Sequence, residues 1–298
     1  MTRLLAVAVF AGLLAALAPT QPAAKLPPGL VLEEQPNDPN LTKVVLVAGS
    51  NFFKAGEHEY LAGCGTLADL LRQTPGVFPV LAADWPARPE TFARAKAVVF
   101  FFDGAEKHEA LKGERLAQVQ KLADAGVGLV FFHQTIDVPK DLGERARGWA
   151  GAAWEKGYSQ RAHWVAEFNQ FPDHPVCRGV SPFKIDDGWL YQLRFVPGKK
   201  GVTPLLRTVN PKAEKKEAGD EAIVAWAYDR PGSDAAKPGR SFVFTGCHLH
   251  ASLTQEGYRR FLVNGILWSA GLEVPAAGAP VALTAADLNK YLLPPPKK

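Results

Sequence analysis

The sequence predicts an α/β protein built on a mostly parallel, helix-covered sheet. Two observations carry that prediction. Short apolar runs without polar alternation, such as Val44-Val45-Leu46-Val47-Ala48, Ala97 to Phe102 and Leu129-Val130-Phe131-Phe132, have the character of strands buried on both faces. Between them lie segments whose apolar residues recur at spacings of three and four, the mark of a helix buried on one side. Strands and helices alternating in this way need crossover connections, and therefore parallel pairing.

Taken in order, Met1 to Ala24 reads as a secretory signal. Arg3 supplies the positive start, and Leu4 to Leu17 is an apolar stretch too short to span a bilayer comfortably, followed by small residues. Cleavage falls either after Ala18 or nearer Ala24, and the mature chain is expected to be exported, periplasmic or extracellular. Residues 25–42 are rich in Pro, Asn and Gln, which predicts a linker or an arm on the surface. The fold begins at Lys43 with the first strand. Glu57 to Gln73 follows as a helix with Tyr60, Leu61, Cys64, Leu67, Leu70 and Leu71 on its inner face, then a strand at Val77 to Ala82 and a short helix at Pro89 to Arg94. The third strand ends at Asp103-Gly104. A helix over Leu111 to Ala125 stops at Gly126, and the fourth strand runs into His133.

The middle of the chain changes character. Asp141 to Lys156 is expected to be helical, with Trp149 and Trp154 on it. His163 to Phe168 alternates as an antiparallel strand does, and His174 to Val180 is rich in turns. Strands are expected at Leu190 to Phe195, Pro204 to Val209, Ala222 to Tyr228 and Ser241 to Gly246, with a closing helix from Glu256 to Ala270. The main domain therefore covers residues 43–271. Residues 272–298 form an Ala/Pro-rich tail with one helical piece near Thr284 to Leu292.

Charge and cysteine content narrow the function classes. Lys and Arg total 34 against 30 Asp and Glu, a net charge of +4 that is small for 298 residues. Lys199-Lys200 and Lys212 to Lys216 have the look of solvated hairpin tips, so nothing resembles a nucleic-acid footprint. After the leader, no stretch is long and apolar enough for a transmembrane helix. Cys64, Cys177 and Cys247 are too few and too scattered for a disulfide framework and are read as buried free thiols; the CxxC metal pattern is absent.

The chemistry-bearing residues share a topological property. His58 and Glu59 follow the first strand, Asp103 the third, His133 the fourth, and His248 and His250 the last. If these strands are parallel, all of these groups meet at one sheet edge, where open α/β sheets bind ligands. His248-x-His250 places two rings on one side of an extended segment, and His133 or Asp187 would complete a site for a divalent metal such as zinc. Asp186-Asp187 reads as an acid pair in a loop. Trp189 and Tyr191 beside it either make a sugar-binding surface or belong to the core. His163 is expected to be structural, His174 to lie in a turn, and His108 to be solvated.

Several motifs in order and spacing resemble the ThuA-like (trehalose-utilisation) family: Gly56-x-His58-Glu59-Tyr60, the strand ending in His133, and His174-Pro175-Val176 with Gly179. To these are added the acid pair before Tyr191, Ala225-Trp226, Gly239 to Thr245 before a histidine, and Asn264-Gly265-Ile266-Leu267-Trp268. The resemblance implies a flavodoxin-like, doubly wound fold of the class I glutamine amidotransferase type, with helices on both faces and antiparallel additions in the second half. Amidotransferases of this fold carry a cysteine nucleophile in the turn after a central strand. Here that turn holds His133, so glutamine amidotransfer is not expected.

The resemblance and the convergence together imply an enzyme acting on a sugar or keto-sugar derivative by hydrolysis or elimination, with or without assistance from a metal. His133 would be the general acid/base with a pKa suited to neutral pH, His248 its partner or an electrophile, and Asp187 would orient one of them or bind a sugar hydroxyl. His58, Glu59, Asp103, Trp189, Tyr191 and His250 would contact substrate. The alternative is a non-catalytic carbohydrate-binding or interaction module using Trp189 and Tyr191 as stacking surfaces. The expected partner is a small carbohydrate, with a homo-oligomer as a further expectation.

Overall fold

A computed structural model of the chain describes residues 26–50, 53–212, 222–233 and 236–293. The expected signal at residues 1–24 and all but the first residue of the Lys212 to Lys216 stretch lie outside the described residues. The elements run β1 (Thr42–Ala48), α1 (Tyr60–Leu71), β2 (Val77–Ala83), β3 (Ala97–Phe101), α2 (Arg115–Asp124), β4 (Gly128–Phe132), α3 (Gly143–Ala150) and β5 (Ala152–Ala153). They continue with β6 (Gln160–Phe168), β7 (Phe183–Tyr191), β8 (Arg194–Phe195), β9 (Val202–Thr208), β10 (Ala222–Arg230), β11 (Gly239–Phe244), α4 (Glu256–Ser269) and α5 (Ala285–Asn289).

Seven strands form the central sheet in the order β2-β1-β3-β4-β11-β10-β9. From β2 through β11 every pairing is parallel, while β10 and β9 add antiparallel strands at one side. The parallel part has the flavodoxin-like order, with β11 in the place of the fifth strand. Its strands are buried on both faces, which explains their unbroken apolar runs. In β1, Val44 and Leu46 face a core shared with Tyr60 and Leu67 of α1 and Phe261 of α4, whereas Val45 and Val47 face Val119 of α2 and Trp149 of α3. Helices thus cover both faces. Because β1, β3, β4 and β11 are mutually parallel, the loops bearing His58, Asp103, His133 and His248 leave the same edge. Among the described residues, no helix is long and apolar enough to cross a membrane.

Several local expectations are corrected. The helix expected over Asp141 to Lys156 ends at Ala150, because Gly151 adopts φ 80 and closes it with a left-handed turn, leaving Trp154 beyond. Asp186 and Asp187 lie inside β7, not in a loop, and β7 pairs with β6 as a separate antiparallel ribbon. The strand expected from Leu190 to Phe195 is divided between the end of β7 and the short β8. His108 is buried against the Thr135 carbonyl, 3.1 Å away, and is not solvated. The three cysteines are free and buried.

Among the described residues, both flanking segments are packed against the domain. Glu33 is buried and takes the backbone N–H groups of Ala87 and Arg88 on its carboxylate. In the tail, Val281, Leu288 and Tyr291 are buried, and α5 starts with a capping box between Thr284 and Asp287.

Candidate functional site

Three loops at the carboxyl edge each hold one histidine in the left-handed backbone region or directly after such a residue. His58 has φ 52, His133 has φ 55, and Cys247, just before His248, has φ 75. Non-glycine residues adopt this region at a cost that the surrounding structure must support. The support is visible. The His58 N–H donates to the His248 carbonyl at 2.9 Å, and the His250 N–H donates to that of Gly56 at 3.0 Å. The two loops are therefore strapped together as a short antiparallel bridge between Glu57 and Leu249. Asp187 reaches the same loop from β7. Its fully buried carboxylate accepts the N–H groups of Gly188 and His248, both at 2.8 Å, and of Cys247 at 3.2 Å. Burial pushes its pKa up to about 7, against the lowering effect of those amides.

These supports bring His58, His133 and His248 face to edge. Ring centroids are 4.8 Å apart for His58 and His133, 4.4 Å for His58 and His248, and 5.4 Å for His133 and His248. One ring nitrogen from each lies within 4.8 Å of the others, so the three can converge on a single ion, the only such group among the described residues. His133 Nδ1 lies 2.9 Å from the Thr245 carbonyl oxygen. A carbonyl can only accept, so Nδ1 carries the proton and Nε2 keeps its lone pair. That lone pair points at His248 Nδ1, 3.4 Å away. His58 Nδ1 contacts the Tyr60 hydroxyl at 2.6 Å, and Phe53 stacks on the His58 ring at 3.7 Å.

The electrostatics favour neutral imidazoles. Burial, then the neighbouring histidines, pushes His58 down to about 2. Burial pushes His133 down to about 3, the Thr245 carbonyl opposing it and His248 adding to it. His248 is also lowered, first by burial and then by His163. A His133 poised to titrate near neutral pH is therefore not what this environment provides; the ring is an electron-pair donor across the physiological range.

The remaining expected site residues separate into those near this cluster and those away from it. Asp103 is buried at the same edge, accepts the Gly104 N–H at 3.0 Å and faces Lys107 at 3.8 Å. Glu59 accepts the Gly56 N–H at 2.8 Å and so closes the His58 loop. His250 turns away. Its Nε2 donates to the Leu288 carbonyl at 2.8 Å, so it does not share an ion with His248, and His58 takes the third place instead. Trp189 is 0% exposed and donates to the Trp164 carbonyl, packed against Phe244, so it offers no stacking face. Tyr191 is also in the core, its hydroxyl meeting Asn210.

Sequence reasoning missed Tyr60, Asp137, Arg161 and His163. His163 lies edge-on to His248 at 4.4 Å. It fits because its cross-strand partner is Gly188, where a Cβ would come within 3.0 Å of the His163 ring and 3.1 Å of the His248 ring. Arg161 pairs with Asp137 and lies 4.3 Å over Trp154. Burial raises Asp137 to about 6 despite that pairing. A histidine opposite a glycine in adjacent strands was the available signal for His163, but only once the register was known.

The family model described as "Trehalose utilisation" matches residues 43–269. Among solved structures, a ThuA-like protein from Parabacteroides merdae is similar with a TM-score of 0.57 and 15% identity, covering 79% of this chain and 92% of its own. One from Bacteroides uniformis is similar with a TM-score of 0.55 and 13% identity, covering 83% and 98%. A glutamine amidotransferase from Thermotoga maritima reaches a TM-score of 0.40 at 11% identity, covering 77% and 96%. A search of curated proteins returns no match.

Proposed function

The chain belongs to the ThuA (trehalose utilisation) family, and from that membership and the histidine crevice we propose an exported enzyme that acts on a sugar or keto-sugar derivative by hydrolysis or elimination. The observation that supports this reading best is the convergence of His58, His133 and His248 at the carboxyl edge of the parallel strands. Three buried imidazoles, with one ring nitrogen of each within 4.8 Å of the others, are an uneconomical way to fill a core, since each buried polar atom needs a partner.

In this reading the three rings form the reaction centre and act as electron-pair donors. Asp187 is a positioning residue, acting on His248 through the backbone amides that it holds. Asp103, Asp137 and Arg161 supply charge and hydrogen-bonding capacity around the centre, and His163 packs edge-on against His248. A binding-only role that stacks sugar on Trp189 and Tyr191 has no support, because both rings are enclosed. The Arg3 and Leu4 to Leu17 pattern supports export.

The test is incubation of purified protein with glucosides and 3-keto-glucosides, followed by product analysis. Consumption of a sugar derivative by the native chain and its loss in His133→Ala is the expected result. Unchanged substrates throughout, or full turnover by His133→Ala, would overturn the proposal.

A further inference from the structure

We infer that His58, His133 and His248 form a three-histidine centre for one divalent transition-metal ion of the zinc class, with at least one coordination position left for water or substrate. The inference concerns the same residues as the proposed function but does not depend on the identity of the substrate.

Geometry carries it. Metal–nitrogen bonds of about 2.0–2.1 Å in a tetrahedral site place neighbouring donor nitrogens roughly 3.3–3.4 Å apart. The His133 Nε2 to His248 Nδ1 distance of 3.4 Å already matches that edge. The third donor lies within 4.8 Å of both, so a shift of the His58 ring of about 1.5 Å or less closes the triangle.

The groups behind two of the rings, His133 and His58, are those that a metal site requires. A ligating histidine donates its other N–H to a carbonyl, carboxylate or hydroxyl, which fixes its tautomer and orientation. His133 does so to the Thr245 carbonyl, and His58 has Tyr60 at the corresponding nitrogen. The loops of His58 and His248 are joined by paired backbone bonds, so two of the three donors sit on one strap. All-nitrogen donor sets suit zinc and its first-row neighbours better than magnesium or calcium, which take oxygen ligands. An ion so held lowers the pKa of a bound water and polarises a carbonyl or hydroxyl oxygen. The ordinary alternative is an N–H···N hydrogen bond between His248 and His133 in a metal-free core.

The experiment uses the full chain, stripped with chelator and dialysed against zinc chloride or cobalt chloride. Bound metal is measured by elemental analysis, and the cobalt form by its visible spectrum. The expected result is one equivalent per chain, with the intense bands of low-coordinate cobalt. His58→Ala, His133→Ala and His248→Ala should each retain less than about a tenth of an equivalent. His250→Ala should retain a full equivalent, and Tyr60→Phe should bind about tenfold more weakly.

Less than a tenth of an equivalent on the native chain, or full retention by the three alanine variants, would overturn the inference. If an alanine variant fails to fold, the native cobalt spectrum and the Tyr60→Phe affinity still decide: a spectrum of hydrated cobalt only counts against the centre. Stoichiometric zinc without sugar turnover would sink the proposed function alone. Sugar turnover by a native chain that holds less than a tenth of an equivalent of metal would sink the centre alone.

Discussion

Two buried polar clusters invite comparison, one around His133 and one around Glu33. Both contain a non-glycine residue in the left-handed region, since Glu33 has φ 53 and His133 has φ 55. Backbone strain alone therefore does not mark the functional one. The difference lies in how completely the polar atoms are matched. The Glu33 carboxylate takes N–H bonds from Ala87 at 2.9 Å and Arg88 at 3.1 Å, and the Thr91 hydroxyl donates to it as well. Its own N–H donates to the Leu81 carbonyl at 2.7 Å. That cluster is closed and pins the arm to the end of β2. In the histidine cluster the rear nitrogens of His58 and His133 are partnered, and one nitrogen of each of the three rings faces the other two. Saturation is the mark of a structural joint, and donors directed at a shared point are the mark of a site.

The sharpest way to break this contrast is to exchange the readouts. His133→Ala is expected to lower turnover of a sugar derivative on the order of 10³-fold, within the range for a lost group at a reaction centre. Glu33→Ala should leave turnover per folded molecule unchanged but cost about 2–3 kcal/mol of stability, the range for lost bonds to a buried charge. For a domain of this size that is a fall in Tm of about 4–12 °C by calorimetry. A large activity loss in Glu33→Ala with unchanged Tm would abolish the distinction.

A subtler probe is pH. Burial alone would raise the Glu33 carboxyl, but the bonds from Thr91, Ala87 and Arg88 outweigh it and hold the group below its ordinary 4.5. A depressed carboxylate contributes stability that is fully present above its unfolded value and is lost as pH falls through the folded one. Between those limits the unfolded chain binds more protons, so stability rises with pH. Glu33→Gln should flatten this slope below pH 4.5 in denaturant titrations and leave the neutral region parallel to the native chain. The smallest expected effect is that of His163→Ala. The ring touches His248 but belongs to none of the three donors, so kcat/KM should change by less than about tenfold.

How much of this could be read in the sequence depends on how local each signal was. The sheet was readable because β1, β3 and β4 are buried on both faces and so lack any polar interruption. The meeting of His58, Asp103, His133 and His248 at one edge followed from parallel pairing alone. What could not be read was direction at the scale of a side chain. His248 and His250 share one side of an extended segment on paper, yet the chain enters a 3₁₀ turn at His250 and sends that ring to Leu288. Trp189 and Tyr191 looked available beside two acids because the pairing of β7 with β6 over Gln160 to Phe168 is a non-local event. It turns Asp187 and Trp189 inward together. His163 was hidden for the same reason, its glycine partner lying 25 positions away.

The bond from His250 to the Leu288 carbonyl has a consequence in time as well as in space. All three histidines of the cluster have been synthesised by residue 248, and the helix α4 that braces their sheet by Ser269. The clasp on the loop after His248 comes only from α5, some forty positions further on. A chain halted before Leu288 would carry every donor and still lack that fastening of the loop after His248.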